Sequence, residues 1–354
     1  MLDTLTISTQ PTAKSRLPEI DFDNLDFGRT FSDHMLVVDY HDGEWQQPQI
    51  VPYGPMTVSP ANSAIHYGQS IFEGLKAYKS QSGEVALFRP LDNFHRLNAS
   101  AERMCMPQLP EEIFMQGLLQ LVRLDAGWVP EGPGSALYIR PFMFATDAML
   151  GVRPSESYRF MIVTCPVGLY YPKPLRVRFE EKYVRSAEGG AGYSKNAGNY
   201  GAAMYPTRLG QEEGYNQLIW TDASEHKYVE ESGTMNAMFI IDGRLVTPAL
   251  SSSILDGITR RSVLQLARDW GMQVEERQVS AREIMQAQAD GTLQEAFGVG
   301  TAATIASIAV IGYQGQDYEL PAVADDAFSR RATAALAAIR KGQAPDAHNW
   351  MVRV

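Results

Sequence analysis

From His34 onward the chain keeps returning to short β-rich runs, such as Met35-Leu36-Val37-Val38 and Val85-Ala86-Leu87-Phe88, bounded by Gly and Pro. Between them lie stretches with apolar residues at helical spacing: Phe94, Leu97, Ala101 and Met104 within 91–105, and Ile113, Leu118, Leu121 and Val122 within 111–126. Strands interleaved with helices in this way restrict the chain to a mixed α/β (α+β) fold. Strands resume at 135–145 and 158–167. Gly168-Leu169-Tyr170-Tyr171-Pro172-Lys173-Pro174 then interrupts, and its two prolines suit an extended connector. Beyond it, strands at 175–185, 216–221, 227–231, 235–241 and 244–247 mix with helices near 199–211, 259–270, 281–288 and 326–341. Asp242-Gly243 between two apolar runs reads as a hairpin turn. At 354 residues the chain exceeds what one core usually serves. Two domains are therefore expected: a smaller one over 1–168 with a polar arm over residues 1–30, a connector at 169–175, and a larger one over 176–354.

The sequence carries 31 Lys and Arg against 41 Asp and Glu, a formal net charge of −10. Surplus acid argues against nucleic acid and anionic membrane as partners, because both recruit clustered Lys and Arg. No apolar run approaches the roughly eighteen residues of a membrane helix. Residues 1–20 lack the apolar core of a secretory signal; Lys14, Arg16 and several Ser and Thr leave organelle targeting as the lesser alternative to the cytoplasm. Cys105 and Cys165 stand far apart, which suits a reducing compartment without disulfides. The six histidines show no metal-ligand spacing, so no metal is expected.

Chemistry concentrates around Lys195. It stands in Gly189-Gly190-Ala191-Gly192-Tyr193-Ser194-Lys195-Asn196-Ala197-Gly198-Asn199-Tyr200-Gly201, in a chain with eight lysines against 23 arginines. Glycines let a backbone pass close to a bound group. An amine shielded from water is a nucleophile toward a carbonyl carbon. Taken alone, the segment could equally be a surface loop with a solvated lysine.

Other segments add parts. Leu255-Asp256-Gly257-Ile258-Thr259 feeds a helix whose first-turn N–H groups form an anion site. Thr259 either caps that helix or touches the anion, and an ordinary capped helix is the plainer reading. Phe297-Gly298-Val299-Gly300-Thr301-Ala302-Ala303-Thr304 is a second glycine turn, without the third glycine of a dinucleotide fingerprint or the ending of a P-loop. Arg96 lies early in an amphipathic helix, where its fork suits phosphate, although a single arginine is more often a surface ion pair. In Glu230-Glu231-Ser232-Gly233-Thr234-Met235-Asn236 a carboxylate could bond a ligand's ring nitrogen, or both acids are solvated at a strand end. An amine, a phosphate cup, a tyrosine five residues past the lysine and a carboxylate for a pyridine nitrogen are together what pyridoxal phosphate needs.

These segments resemble the branched-chain amino-acid aminotransferases of the fold-type IV group of pyridoxal-phosphate enzymes. The likeness runs from about Asn62 to Gly312. Its carriers are His66 to Tyr78, Phe88 to Arg96, Leu137 to Pro141, Gly189 to Tyr200, Glu231 to Asn236, Leu255 to Arg261 and Phe297 to Ala303. It implies a two-domain fold-type IV architecture and reversible transfer of an amino group between leucine, isoleucine or valine and 2-oxoglutarate. It also implies that Lys195 carries the cofactor and moves the α-proton, that Tyr200 bonds its phenolic oxygen, and that Glu231 meets its ring nitrogen. Arg96, Gly257, Ile258, Thr259 and Thr301 would hold the phosphate. Thr301 and Ala302 amides, with Tyr138, would seat the substrate carboxylate. Phe72, Tyr67 and Tyr170 would line the apolar pocket, and Arg140, with a loop of a second subunit, would meet glutamate's second carboxylate. A homodimer follows, although Arg140 could instead be an interface salt bridge. Glu230 is expected to face the other side of its strand and to be dispensable. Some relatives carry Cys-x-x-Cys after the Gly-Thr-Ala turn; Ala303 and Ala306 stand here, so no thiol switch is expected. D-amino-acid aminotransferase and aminodeoxychorismate lyase share the fold and are the rival readings. The Glu-x-Gly-Thr-Met-Asn run and the length favour the branched-chain enzyme.

Overall fold

The chain divides at the proline-marked connector. The computed structural model describes residues 5–168, 171 and 173–354; Tyr170, expected in the apolar pocket, lies outside them. One unit takes in the residues up to 170, Ser194–Ala197 and Ala337–Val354, and the other Tyr171–Tyr193 and Gly198–Leu336. Two parts of the chain depart from the expected division. Lys195 and the stretch from Ala337 belong to the first unit, which is therefore the longer one. The physical reason is backbone pairing. Asn196 forms a bridge with Ile71, Phe72 N donates to Lys195 O, and Met351–Arg353 adds a strand beside Val85–Phe88.

The first unit is built on a largely antiparallel sheet. Its path runs Ser8–Thr9, Gln49–Pro52, His34–His41, Tyr158–Val167, Ala136–Ala145, Leu75–Lys79, Val85–Phe88 and Met351–Arg353. Ser70–Phe72 pairs separately with Ala136–Ala145. Helices Pro90–Arg103 and Glu111–Leu124 bury one apolar face each, Phe94, Leu97 and Ala101 on the first and Ile113, Phe114, Leu118, Leu121 and Val122 on the second. These join sheet residues Leu36, Ile71, Leu75, Leu137 and Phe160 in one core. Removing that much apolar surface from water is the main driving force for the unit.

In the second unit Leu175–Phe179 lies parallel to both Gln217–Thr221 and Thr304–Tyr313. The remaining path continues through Leu293–Gly300 to Met235–Ile241, and Val229–Ser232 pairs with both Gln217–Thr221 and Met235–Ile241, closing six strands into a ring. Asp242 and Gly243 both have positive φ between Met235–Ile241 and Arg244–Thr247, as a two-residue hairpin requires. The sequence predicts only a glycine turn at 297–304. The structure makes it the tip of an antiparallel pair. Glycine is a poor strand signal, yet Gly298 and Gly300 are there because a Cβ at either would press on Met235. Among the described residues no helix is long and apolar enough to cross a membrane, and no group of His, Cys, Asp and Glu could hold a metal ion.

Candidate active site

In the first unit the backbone fixes Lys195 from both sides. Lys195 N donates to Ser100 Oγ at 2.8 Å, and Lys195 O accepts from Phe72 N at 3.0 Å. Its Nζ lies 4.8 Å from the centre of the Phe72 ring, and the Arg140 guanidinium lies 4.6 Å from the same ring. One aromatic face system thus holds two cations, an arrangement favoured by the ring quadrupole. Arg140 Nη2 donates to Tyr138 Oη at 3.0 Å, while Arg140 Nε is buried and has no hydrogen-bond partner among the described residues. A Cβ at Gly74 would overlap Tyr138 Oη, so this glycine makes room for the phenol. Phe27, from the N-terminal arm, meets the Tyr138 ring edge-on at 5.0 Å.

Arg96 is buried, and Glu73 takes the Nε–Nη2 edge of its fork at 2.7 and 2.8 Å. The bidentate pair fixes the plane of the guanidinium. Tyr67 differs from the other expected pocket residues. It is 43% exposed at the end of the short helix Ser63–Tyr67, and no hydrogen bond or ring contact among the described residues ties it to Phe72, Tyr138 or Arg140.

In the second unit Glu231 is 4% exposed, with a hydrogen-bond donor at one oxygen and an ion-pair partner at the other. Leu255 N donates to Oε1 at 2.7 Å, and Arg185 Nε stands 3.2 Å from Oε2. An N–H and a guanidinium are both complementary to a carboxylate. Arg185 Nη2 also donates to Gly192 O and Ser253 O. Tyr193 N donates to Ser252 O, and Gly189 N to Ser252 Oγ. The glycine run is therefore explained by close approach to residues 251–255: a Cβ at Gly192 would overlap the Ser253 carbonyl.

Helix Ile258–Asp269 begins after Gly257, which caps it without any side-chain hydrogen bond. Thr259 is buried inside the first turn and is not the cap, which corrects one of its two expected roles. A side chain at 257 would overlap Asn236 Oδ1, whose Nδ2 is donated to Leu255 O. Thr301 and Ala302 lie in the turn between Leu293–Gly300 and Thr304–Tyr313, and Tyr200 is half-buried on the first turn of helix Ala197–Glu212.

Several members of these clusters are not evident from the sequence reading. Glu73 lies in a quoted segment and Arg185 heads the glycine run, but nothing local marks their partners. Lys76 is buried, faces Tyr138 in the strand register, and has its amine pushed down to about 7 by burial, with the Arg340 charge adding. Glu230 is not the solvated strand-end acid that the sequence allowed. It is 8% exposed and accepts a hydrogen bond from Ser253 Oγ.

A family model for Amino-transferase class IV matches residues 70–311. The chain is 47% identical over 339 residues to the branched-chain-amino-acid transaminase 1 of Bacillus subtilis (strain 168), covering 94% of this chain and 95% of that one. It is 43% identical to branched-chain-amino-acid aminotransferase 2 of the same organism, over 99% and 97% of the two chains. The crystal structure of a branched-chain aminotransferase from Thermoproteus uzoniensis, solved with norvaline, superposes with a TM-score of 0.75 at 25% identity, covering 90% of this chain and 99% of that one. With the family model spanning Lys195 and Glu231 alike and the relatives covered almost end to end, the chain belongs to the class IV aminotransferases, among the branched-chain-amino-acid enzymes.

Proposed function

We propose that this protein is a pyridoxal-phosphate-dependent branched-chain-amino-acid aminotransferase, acting between leucine, isoleucine or valine and 2-oxoglutarate. The observation that carries the reading is the fixing of Lys195 by Ser100 and Phe72, with Arg140 and Tyr138 hydrogen-bonded to each other beside the same Phe72 ring. The chemistry of the side chains fits the cofactor. Lys195 offers an amine for its aldehyde, Glu231 a buried carboxylate for its ring nitrogen, and Arg96 a buried cation for its phosphate. Gly257, Ile258, Thr259 and Thr301 add phosphate donors, and Tyr200 a hydroxyl for the phenolic oxygen. When bound, the cofactor supplies a ring that spreads the negative charge developing at the substrate α-carbon.

The chain's own residues do the rest. Lys195 Nζ takes the α-proton and returns it. Tyr138 and the Thr301 and Ala302 amides orient the α-carboxylate, Phe72 excludes water from the side chain, and Arg140 meets the second carboxylate of glutamate. Tyr67 is assigned to the apolar pocket with Phe72. The neighbouring lyase and D-amino-acid activities draw no support from the relatives above. Cys105 and Cys165 form no disulfide, which suits work in the cytoplasm.

The test is amino transfer by the purified, cofactor-loaded protein. L-Leucine with 2-oxoglutarate is expected to yield glutamate, and D-alanine is not expected to react. Lys195→Ala is expected to lower turnover by about 10³-fold or more, with partial rescue by a small added amine. Undiminished turnover in that variant would overturn the reading.

A further inference from the structure

Glu230 is a buried carboxyl that the proposed reaction leaves unused. It lies on strand Val229–Ser232 directly before Glu231. One oxygen, Oε1, accepts from Ser253 Oγ. The other, Oε2, is buried with no hydrogen-bond partner among the described residues. A buried oxygen without a partner costs far more when the carboxyl is ionised than when it is neutral. Ser253 Oγ is in turn 2.9 Å from Ser251 Oγ, and Ser251 is exposed. The hydroxyls thus make a continuous hydrogen-bonded path from solvent to Glu230. The same segment carries Leu255, whose N–H holds Glu231, and Ser253 O, which accepts from Arg185.

We propose that Glu230 is a positioning residue of the ring-nitrogen site: a protonated carboxyl that pins residues 251–255 to its strand and leaves Glu231 as the carboxylate balanced by Arg185. The proposal rests on the reading of Glu231 as the ring-nitrogen carboxylate. The charged groups acting on Glu230 are Arg185, Glu231 and Asp222. Burial is the largest cause pushing the Glu230 carboxyl above its ordinary range, and the charges of Glu231 and Asp222 add to it. The Ser253 hydrogen bond and Arg185 pull the other way. With one guanidinium between two acids, keeping the second acid neutral avoids a net negative buried cluster.

The signs follow from linkage. A carboxyl raised in the folded state stabilises the fold fully below its unfolded value, and that contribution is lost as pH rises through the folded value. Glu230→Gln has no proton to lose. The full-length protein is melted with and without cofactor across pH. The melting temperature of Glu230→Gln minus that of the wild type is expected to be smallest in acid and to climb to a plateau with rising pH. Ser253→Ala, which removes the hydroxyl that favours the ionised form, should shift the step in the melting curve to higher pH and serves if Glu230→Gln folds poorly. A difference independent of pH, or no shift in Ser253→Ala, would overturn the proposal.

Cofactor affinity separates this idea from the one beneath it. A cationic ring nitrogen is attracted by the ionised Glu230 of the wild type, so the ratio of dissociation constants, Glu230→Gln over wild type, should grow with pH by about tenfold, the effect of one unit of coupling. A pH-dependent melting difference with a flat affinity ratio would remove Glu230 from the ring-nitrogen site and overturn its positioning role. Failure of amino transfer itself is read independently in the leucine assay.

Discussion

At the scale of single residues, the second-unit cluster turns on one contrast. Glu231 is held by a backbone N–H and a guanidinium, while Glu230 has one hydroxyl and an oxygen without a hydrogen-bond partner among the described residues. Neighbours in sequence are thus placed in opposite electrostatic settings. Glu231→Gln keeps the size of the side chain and removes the carboxylate proposed to face the ring nitrogen. The chemical step is expected to slow by about 10²–10³-fold, the usual effect of losing one preorganised electrostatic partner. Cofactor affinity should change much less, since on the proposed reading the phosphate is bound by other residues. Single-turnover kinetics with L-leucine, beside a cofactor titration, separates the two effects. Equal losses in both would show that Glu231 acts mainly in binding.

At the scale of elements, the start of helix Ile258–Asp269 is governed by Gly257. Its φ is −71°, open to any residue, so freedom of the backbone is not the reason for glycine. Space is the reason, since a methyl group would overlap Asn236 Oδ1. Gly257→Ala must displace Asn236, which also holds the Leu255 carbonyl, or shift the first helical turn. Overpacking of this kind costs about 1–3 kcal/mol. A lower melting temperature and a weaker affinity for the cofactor are both expected. If stability falls while cofactor affinity stays as it was, this helix start does not carry the phosphate. Gly74 is the first-unit counterpart, a glycine required by the nearness of the Tyr138 hydroxyl.

At the scale of the whole molecule, the first unit leaves apolar side chains uncovered. Ile65 and Tyr67 on helix Ser63–Tyr67 are exposed, as are Leu150 and Val152, the last at 88%. The two segments are joined by the bridge between Asn62 and Ala148 and by Ser63 N donating to Asp147 O. Adjacent exposed apolar groups of this kind mark an interaction surface, and a twofold homodimer is the simplest way to cover it. The wild type is expected to sediment as a dimer. Leu150→Asp combined with Val152→Asp should shift it toward monomer and reduce turnover. A wild-type monomer with full activity would rule out the shared site.

Many of the helices and strands were legible in the sequence, though not Leu293–Gly300 and Thr304–Tyr313, because helical and alternating periods and turn chemistry act over a few residues. Phe94, Leu97 and Ala101 form a buried helix face, and Asp242-Gly243 turns a hairpin, where the pattern predicts them. Lys195 and Glu231 were legible as chemical groups because an amine amid glycines and an acid before Ser232-Gly233 stand out locally. Their settings were not legible. Arg96 finds Glu73 23 residues away, and Arg185 finds Glu231 across the second unit. Glu230 looked like a solvated acid until Ser253 was brought to it. Which domain owns Lys195 was likewise settled by Ser100 and Phe72, far from it in sequence. Burial and charge pairing depend on which distant segments close upon one another, and only the tertiary structure decides that.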